Sequence, residues 1–119
     1  MSADLARAVV DLVASVRDGR GAVLMALDGV PVELAGPAEA SALEAVAGEY
    51  ANLLGLARSL ATELDVGAPQ RLSVRGANRR IVFAFVGDDL ALGVETGISG
   101  LRGQAGDAIT RALGQLGES

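Results

Sequence analysis

The chain has 119 residues, half of them apolar and 21% charged, a formal net charge of −5, and only three aromatics: Tyr50, Phe83 and Phe85. That is enough for one layered core and not for two, so a single domain over residues 1–119 is expected, built from leucine, valine and alanine. Histidine, cysteine and lysine are absent, which removes thiol chemistry, the commonest general base and metal ligand, Schiff-base chemistry and a P-loop lysine. The acidic balance disfavours a nucleic-acid partner.

No apolar run reaches the ~20 residues of a membrane span. The first residues, Met1-Ser2-Ala3-Asp4, carry neither the basic region nor the apolar region of a leader, so a cytoplasmic protein with no membrane partner is expected. Residues 3–17 place Leu5, Val9, Leu12, Val13 and Val16 on one side and Asp4, Arg7 and Asp11 on the other. That spacing predicts an amphipathic helix, stopped by Gly19 as the glycine after its end. Ala22 to Leu27 is continuously apolar and is followed by Asp28-Gly29 and then Val30-Pro31-Val32-Glu33-Leu34. This is the pattern of a hairpin with a two-residue type I′ turn. Its first strand is central, and its second, holding Pro31, is an edge.

Residues 41–65 contain no proline, and Leu43, Val46, Tyr50, Leu53, Ala57, Leu60 and Leu64 recur at helical spacing. A helix of about seven turns with one continuous apolar face follows. Ser41 with Glu44 three residues on reads as a capping box. Beside the apolar face runs a row of small side chains, Gly48, Asn52, Gly55, Ser59 and Thr62. Each glycine inside a helix costs ~1 kcal/mol relative to alanine. One reading is close approach by the same helix of a second copy; the other is packing on a sheet or tolerance at a surface.

After a loop at 66–69, residues 70–75 alternate with Leu72 and Val74 inward and Arg71, Ser73 and Arg75 outward. A turn at 76–79, including Arg79, leads to two strands at 81–86 and 90–94, apolar on both faces and joined by Gly87-Asp88-Asp89. Ser99 to Leu116 closes the chain as a helix, with Ile98, Leu101, Ala105, Ile109, Ala112, Leu113 and Leu116 inward.

The order is α-β-β-α-β-β-β-α, an α/β (α+β) sandwich. With the strands numbered along the chain, 1, 4 and 5 are central and 2 and 3 are edges. The simplest antiparallel five-stranded sheet is then 2-1-5-4-3, with the long helix on one face and the two shorter helices on the other. Strand 3 is left as an open edge beside the long helix, and an open edge invites pairing. The edge and the small-residue row both fit a homodimer whose interface holds Gly48, Ala51, Asn52, Gly55, Ser59, Leu72 and Val74.

Chemistry is hard to place. Asp28-Gly29 and Gly87-Asp88-Asp89 are needed for turns. Gly97, Gly100 and Gly103 precede a helix, yet their GxxGxxG spacing fits neither the dinucleotide nor the P-loop fingerprint. Glu44, Glu49 and Glu63 form no inward pair, Arg79-Arg80 reads as a solvated turn, and no serine has a histidine to activate it. The residues themselves point to no catalytic group, cofactor or metal, and to contact with another protein.

Three stretches carry a family resemblance: residues 22–32 (AVLMALDGVPV), residues 51–60 (ANLLGLARSL) and residues 87–101 (GDDLALGVETGISGL). Over roughly Leu5 to Leu116 the chain resembles the roadblock (dynein light chain) family, in particular its bacterial MglB-like members. The resemblance implies a profilin-like sandwich that homodimerises through the long helix and strand 3. It also implies a non-enzymatic partner of a small Ras-like GTPase, on which such a dimer docks through its paired long helices. There it promotes hydrolysis by rearranging the GTPase's own residues. Carried to this chain, the docking surface is Glu44, Gly48, Asn52, Arg58, Ser59 and Glu63. Two other readings stand beside it: a scaffold or adaptor subunit, which would pair with another roadblock-like chain or join a signalling or motor complex, and a small-ligand sensor. No polar cluster directed into the apolar interior supports the sensor.

Overall fold

The computed structural model describes residues 2–37, 40–98 and 104–117. Its elements are α1 (Ser2–Ala14), β1 (Gly19–Ala26), β2 (Pro31–Ala35), α2 (Ala40–Leu64), β3 (Arg71–Arg75), β4 (Arg79–Val86), β5 (Leu90–Gly97) and α3 (Gln104–Gln115). All five strands form one antiparallel sheet of order β2-β1-β5-β4-β3, the expected topology. Side chains alternate across the sheet, so each central strand feeds two cores. Leu24, Val82, Leu92 and Val94 meet Val9, Leu12 and Val13 of α1 and Ala108, Ile109 and Ala112 of α3. On the other face Val23, Met25, Phe83 and Ala91 meet Ala47 and Leu54 of α2.

Several local expectations change. The left-handed residue after α1 is Asp18 (φ 59), not Gly19. Gly19 already belongs to β1, where an added Cβ would meet the Val13 carbonyl oxygen at 2.5 Å. The hairpin is not type I′, because only Gly29 has positive φ (99°) and Asp28 does not. Instead Gly29 N donates to Ala26 O and Ala26 N to Val30 O, both at 2.9 Å. This is the three-residue loop closed by a left-handed glycine, and the Asp28 carboxylate accepts from Val30 N at 3.1 Å.

Arg79 and Arg80 are the first residues of β4 rather than a turn, and Arg79 bonds Glu95 at 3.0 Å. The strand β5 runs on to Gly97, where a Cβ would strike the Asp18 carboxylate. Close approach therefore accounts for Gly97, while Gly100, Leu101 and Gly103 lie outside the described residues. Ser41 falls inside α2 as its bounds are drawn, and its side chain is also outside them. The far end of α2 is closed by Asp65 at φ 55, with Val66 N donating to Ala61 O and Asp65 N to Thr62 O, each at 3.2 Å. This is a Schellman closure with aspartate in the position usually given to glycine.

At the centre of the α2 core, Phe83 stands opposite Gly93, and a Cβ at Gly93 would collide with its ring. The glycine lets the ring lie flat across β5, where Tyr50 packs edge-on at 5.0 Å between centroids and 70° between planes. Burial raises the Tyr50 hydroxyl to about 12, with Glu95 pushing the same way and Arg79 opposing. Gly93→Ala overpacks this site and should cost about 1–3 kcal/mol; a thermal melt unchanged from the parent would show that the ring is not seated there.

Because the folded tyrosine holds its proton to higher pH than the unfolded one, stability is unaffected by it below pH ~10 and declines between about 10 and 12. Denaturant titrations across that range should show the decline in the parent chain and a smaller one in Tyr50→Phe. As Tyr50 is the only tyrosine, its phenolate absorbance reads the titration directly.

Candidate interaction surface

At 1.5 Å per residue α2 is roughly 37 Å long, the same as the longest dimension of the molecule, 37 Å. It crosses the sheet from Glu44, beside β2, to Ala61 and Asp65, beside Phe85 and the β4–β5 turn. Among the described side chains, those it buries are Ala47, Leu54 and Ala61, two turns apart, with Tyr50 and Ala51 half-buried on the same side. Two alanines flank the contact, and Leu54 fills the middle.

The apolar face expected from the sequence is therefore rotated. Leu60 and Leu64, placed on the same face as Tyr50, are 54% and 67% exposed, and Leu56 and Val66 are 63% and 70% exposed. Sequence reasoning missed this outward leucine stripe because the apolar arc of α2 is wider than the face it buries. The signal available was the alanine set at 47, 51 and 61, which fits a sheet better than the leucines do.

The expected interface residues separate. Asn52, Gly55 and Ser59 are exposed on α2. An added Cβ at Gly48 or Gly55 would meet nothing within 4 Å, so neither glycine is required by its own chain's packing in the Cβ direction. Gly48 has a further neighbour in the hairpin turn, whose Gly29 would place a Cβ 3.4 Å from its Cα. Ala51 is largely committed to the inner core. Leu72 and Val74 do face the α2 side, but they are incompletely covered, Val74 being 40% exposed. β3 bonds only β4, so its outer backbone groups are open among the described residues.

Of the expected partner surface, Glu44, Glu63 and Arg58 are also exposed. Arg58 donates to Asp88 O at 3.4 Å, and Thr62 donates to Arg58 O at 3.1 Å. The outer side of α2 is thus a leucine stripe bordered by carboxylates, small residues and one arginine fastened to the β4–β5 turn. An exposed apolar surface with a polar rim is suited to docking a protein.

Space for a small ligand is limited on this side. The gap between Tyr50, Phe83 and Gly93 is about 10 Å³, no more than a water occupies. A larger hollow of about 320 Å³, bordered by Arg58, Asp65, Phe85 and Asp88, opens broadly to solvent. No group of three His, Cys, Asp or Glu among the described residues could hold a metal ion, and no described helix is long and apolar enough to cross a membrane.

Comparison with solved structures gives close likeness over nearly the whole chain. MglB of Myxococcus xanthus superposes with a TM-score of 0.88 at 16% identity, covering 97% of this chain and 86% of that one. The gliding protein MglB of Thermus thermophilus gives 0.85 at 15%, covering 97% and 87%. A Roadblock/LC7 domain from Streptomyces avermitilis gives 0.84 at 20%, covering 93% and 92%. At these identities the likeness establishes the fold. Comparison with the curated proteins gives no match. The family model for the Roadblock/LC7 domain, however, matches residues 5–96, and the chain belongs to the Roadblock/LC7 domain family.

Proposed function

We propose that this chain, as a single roadblock-like domain, is a homodimeric cytoplasmic regulator of a small Ras-like GTPase, with paired α2 helices as the docking surface. The observation that supports it most is the outward leucine stripe, Leu56, Leu60 and Leu64, on a helix already packed on its sheet. Covering those leucines removes apolar area from water at ~25 cal/mol per Å². In this reading Gly48, Asn52, Gly55 and Ser59 allow a second α2 to approach, and Leu72 and Val74 join the contact beside the open edge of β3. Ala51 contributes little, since it already packs inward. Glu44, Arg58 and Glu63 remain at the rim, where charges set orientation and rate of encounter more than affinity.

The GTPase role rests on the likeness to MglB-like proteins and on family membership. The regulator supplies a surface rather than a catalytic group and needs no cofactor of its own. A scaffold subunit, homodimeric or paired with another roadblock-like chain, would use the same surface without changing nucleotide turnover.

Light scattering on a size-exclusion column should return about twice the 12.0 kDa chain mass. Gly55→Leu should weaken the dimer at least tenfold. It should leave the fold intact or slightly stabilised, because its site is open in the single chain and leucine favours a helix by about 1 kcal/mol over glycine. An unchanged dimer in that variant would sink this geometry. For the GTPase, single-turnover hydrolysis is measured for each small Ras-like GTPase of the source genome with and without the chain. Acceleration supports regulation, binding without acceleration supports the scaffold, and no binding to any of them overturns both GTPase roles.

A further inference from the structure

On the opposite face of the sheet from α2, a groove of about 310 Å³ lies between β3, β4 and the first described turn of α3. Arg71, Ser73 and Arg75 enter it from β3 and Arg80 from β4, with Ala105 and Gly106 of α3 as the other wall. The register sets Arg75 directly opposite Arg80. Like charges facing each other across an antiparallel pair destabilise it, so this pairing asks for a reason.

The third arginine is held in place. Arg71 donates to Gly106 O at 3.0 Å and to Thr110 Oγ1 at 2.6 Å. Both acceptors are neutral, so these two bonds orient the guanidinium without compensating its charge. Among the described residues the ion pairs are Arg20–Asp18 and Arg79–Glu95, and none involves Arg71, Arg75 or Arg80. The chain has fifteen carboxylates against ten arginines, so counter-charges were plentiful, and among the described residues three arginines share a groove lined by none. Protection of an edge strand explains charge on β3, but carboxylates would serve as well, and it does not call for Arg80 on β4.

We propose that this groove docks a short acidic segment of a partner protein, two or three of whose carboxylates bridge Arg75 and Arg80 and reach Arg71. Guanidinium groups bind carboxylates by paired, charge-assisted hydrogen bonds, and a bridging carboxylate converts the Arg75–Arg80 repulsion into attraction. The concavity accommodates a few side chains. An extended polyanion or an anionic bilayer would meet the repulsion of a chain of net charge −5. The inference does not depend on a GTPase, since the groove faces away from α2.

The test is fluorescence polarisation at low salt with a labelled six-glutamate peptide, and a six-glutamine peptide as its uncharged match. The glutamate peptide should bind and the glutamine one should not. Affinity should fall about tenfold in Arg75→Ala/Arg80→Ala, the size expected for losing two partly exposed charge contacts. It should hold within twofold in Arg7→Ala/Arg111→Ala, which removes the same charge elsewhere. Both arginines are accessible, so the melting temperature of the first variant should be unchanged or higher. Amide shifts on peptide addition should centre on residues 71–75, 80–82 and 105–106.

The assignment is overturned by failure of the glutamate peptide to bind, by equal losses in the two variants, or by shifts centred on α2. It is likewise overturned if inorganic phosphate alone competes at concentrations equal to those of the peptide. A drop in molecular mass of Arg75→Ala/Arg80→Ala without peptide would assign the groove to a second copy of this chain instead.

Discussion

Two-faced burial of β1, β5 and β4 is the constraint on which the rest of this structure depends. A strand with Val23 and Met25 on one side and Ala22 and Leu24 on the other cannot leave either side in water. The helices must therefore divide between the faces, and they do so unevenly. Two short helices cover the first core, with Val9, Leu12, Val13 and Ile109 as its bulk. The second face receives one helix, which turns Ala47, Leu54 and Ala61 inward. Gly93 gives the Phe83 ring room to lie across β5 within that core.

The uneven division has consequences for function. A single helix cannot cover the full width of five strands, so Leu72 and Val74 near the β3 edge remain partly open. The same helix turns Ala47, Leu54 and Ala61 inward, so Leu56, Leu60 and Leu64 point out. An apolar outer face therefore arises beside an open strand edge within one chain. The reverse face of β3 has the opposite character, two arginines and a serine in a groove shared with Arg80 of β4. The strand thus separates two chemically different surfaces, apolar on the α2 side and basic on the α3 side.

Much of this was legible along the chain. The faces of α1 and α3 follow from their 3-4 spacing, with Leu12 and Ile109 buried as expected. Sheet order follows from which strands are apolar on both faces, since that decides centre from edge. The helix α2 defeats the same reading: leucines at 53, 56, 60 and 64 and alanines at 47, 57 and 61 make an apolar arc wider than the face it buries, so the spacing does not fix its rotation. Local chemistry also competed at the turns. Asp18 and Asp65 took left-handed positions that sequence rules give to glycine, and Gly19 and Gly97 were needed where another residue's atoms come close.

The sequence by itself determined the α-β-β-α-β-β-β-α order, the central and edge strands, and the absence of cysteine, histidine and lysine chemistry. These depend on the periodicity and kind of side chains, which are local properties. Tertiary structure alone decided which face of α2 is spent inside, and so where the exposed leucines lie. It also decided that Arg71, Arg75 and Arg80 meet in one groove, with Arg71 held by α3. Rotation of a helix and convergence of charges depend on registers and contacts between elements distant in the chain, and no periodicity within one element encodes them.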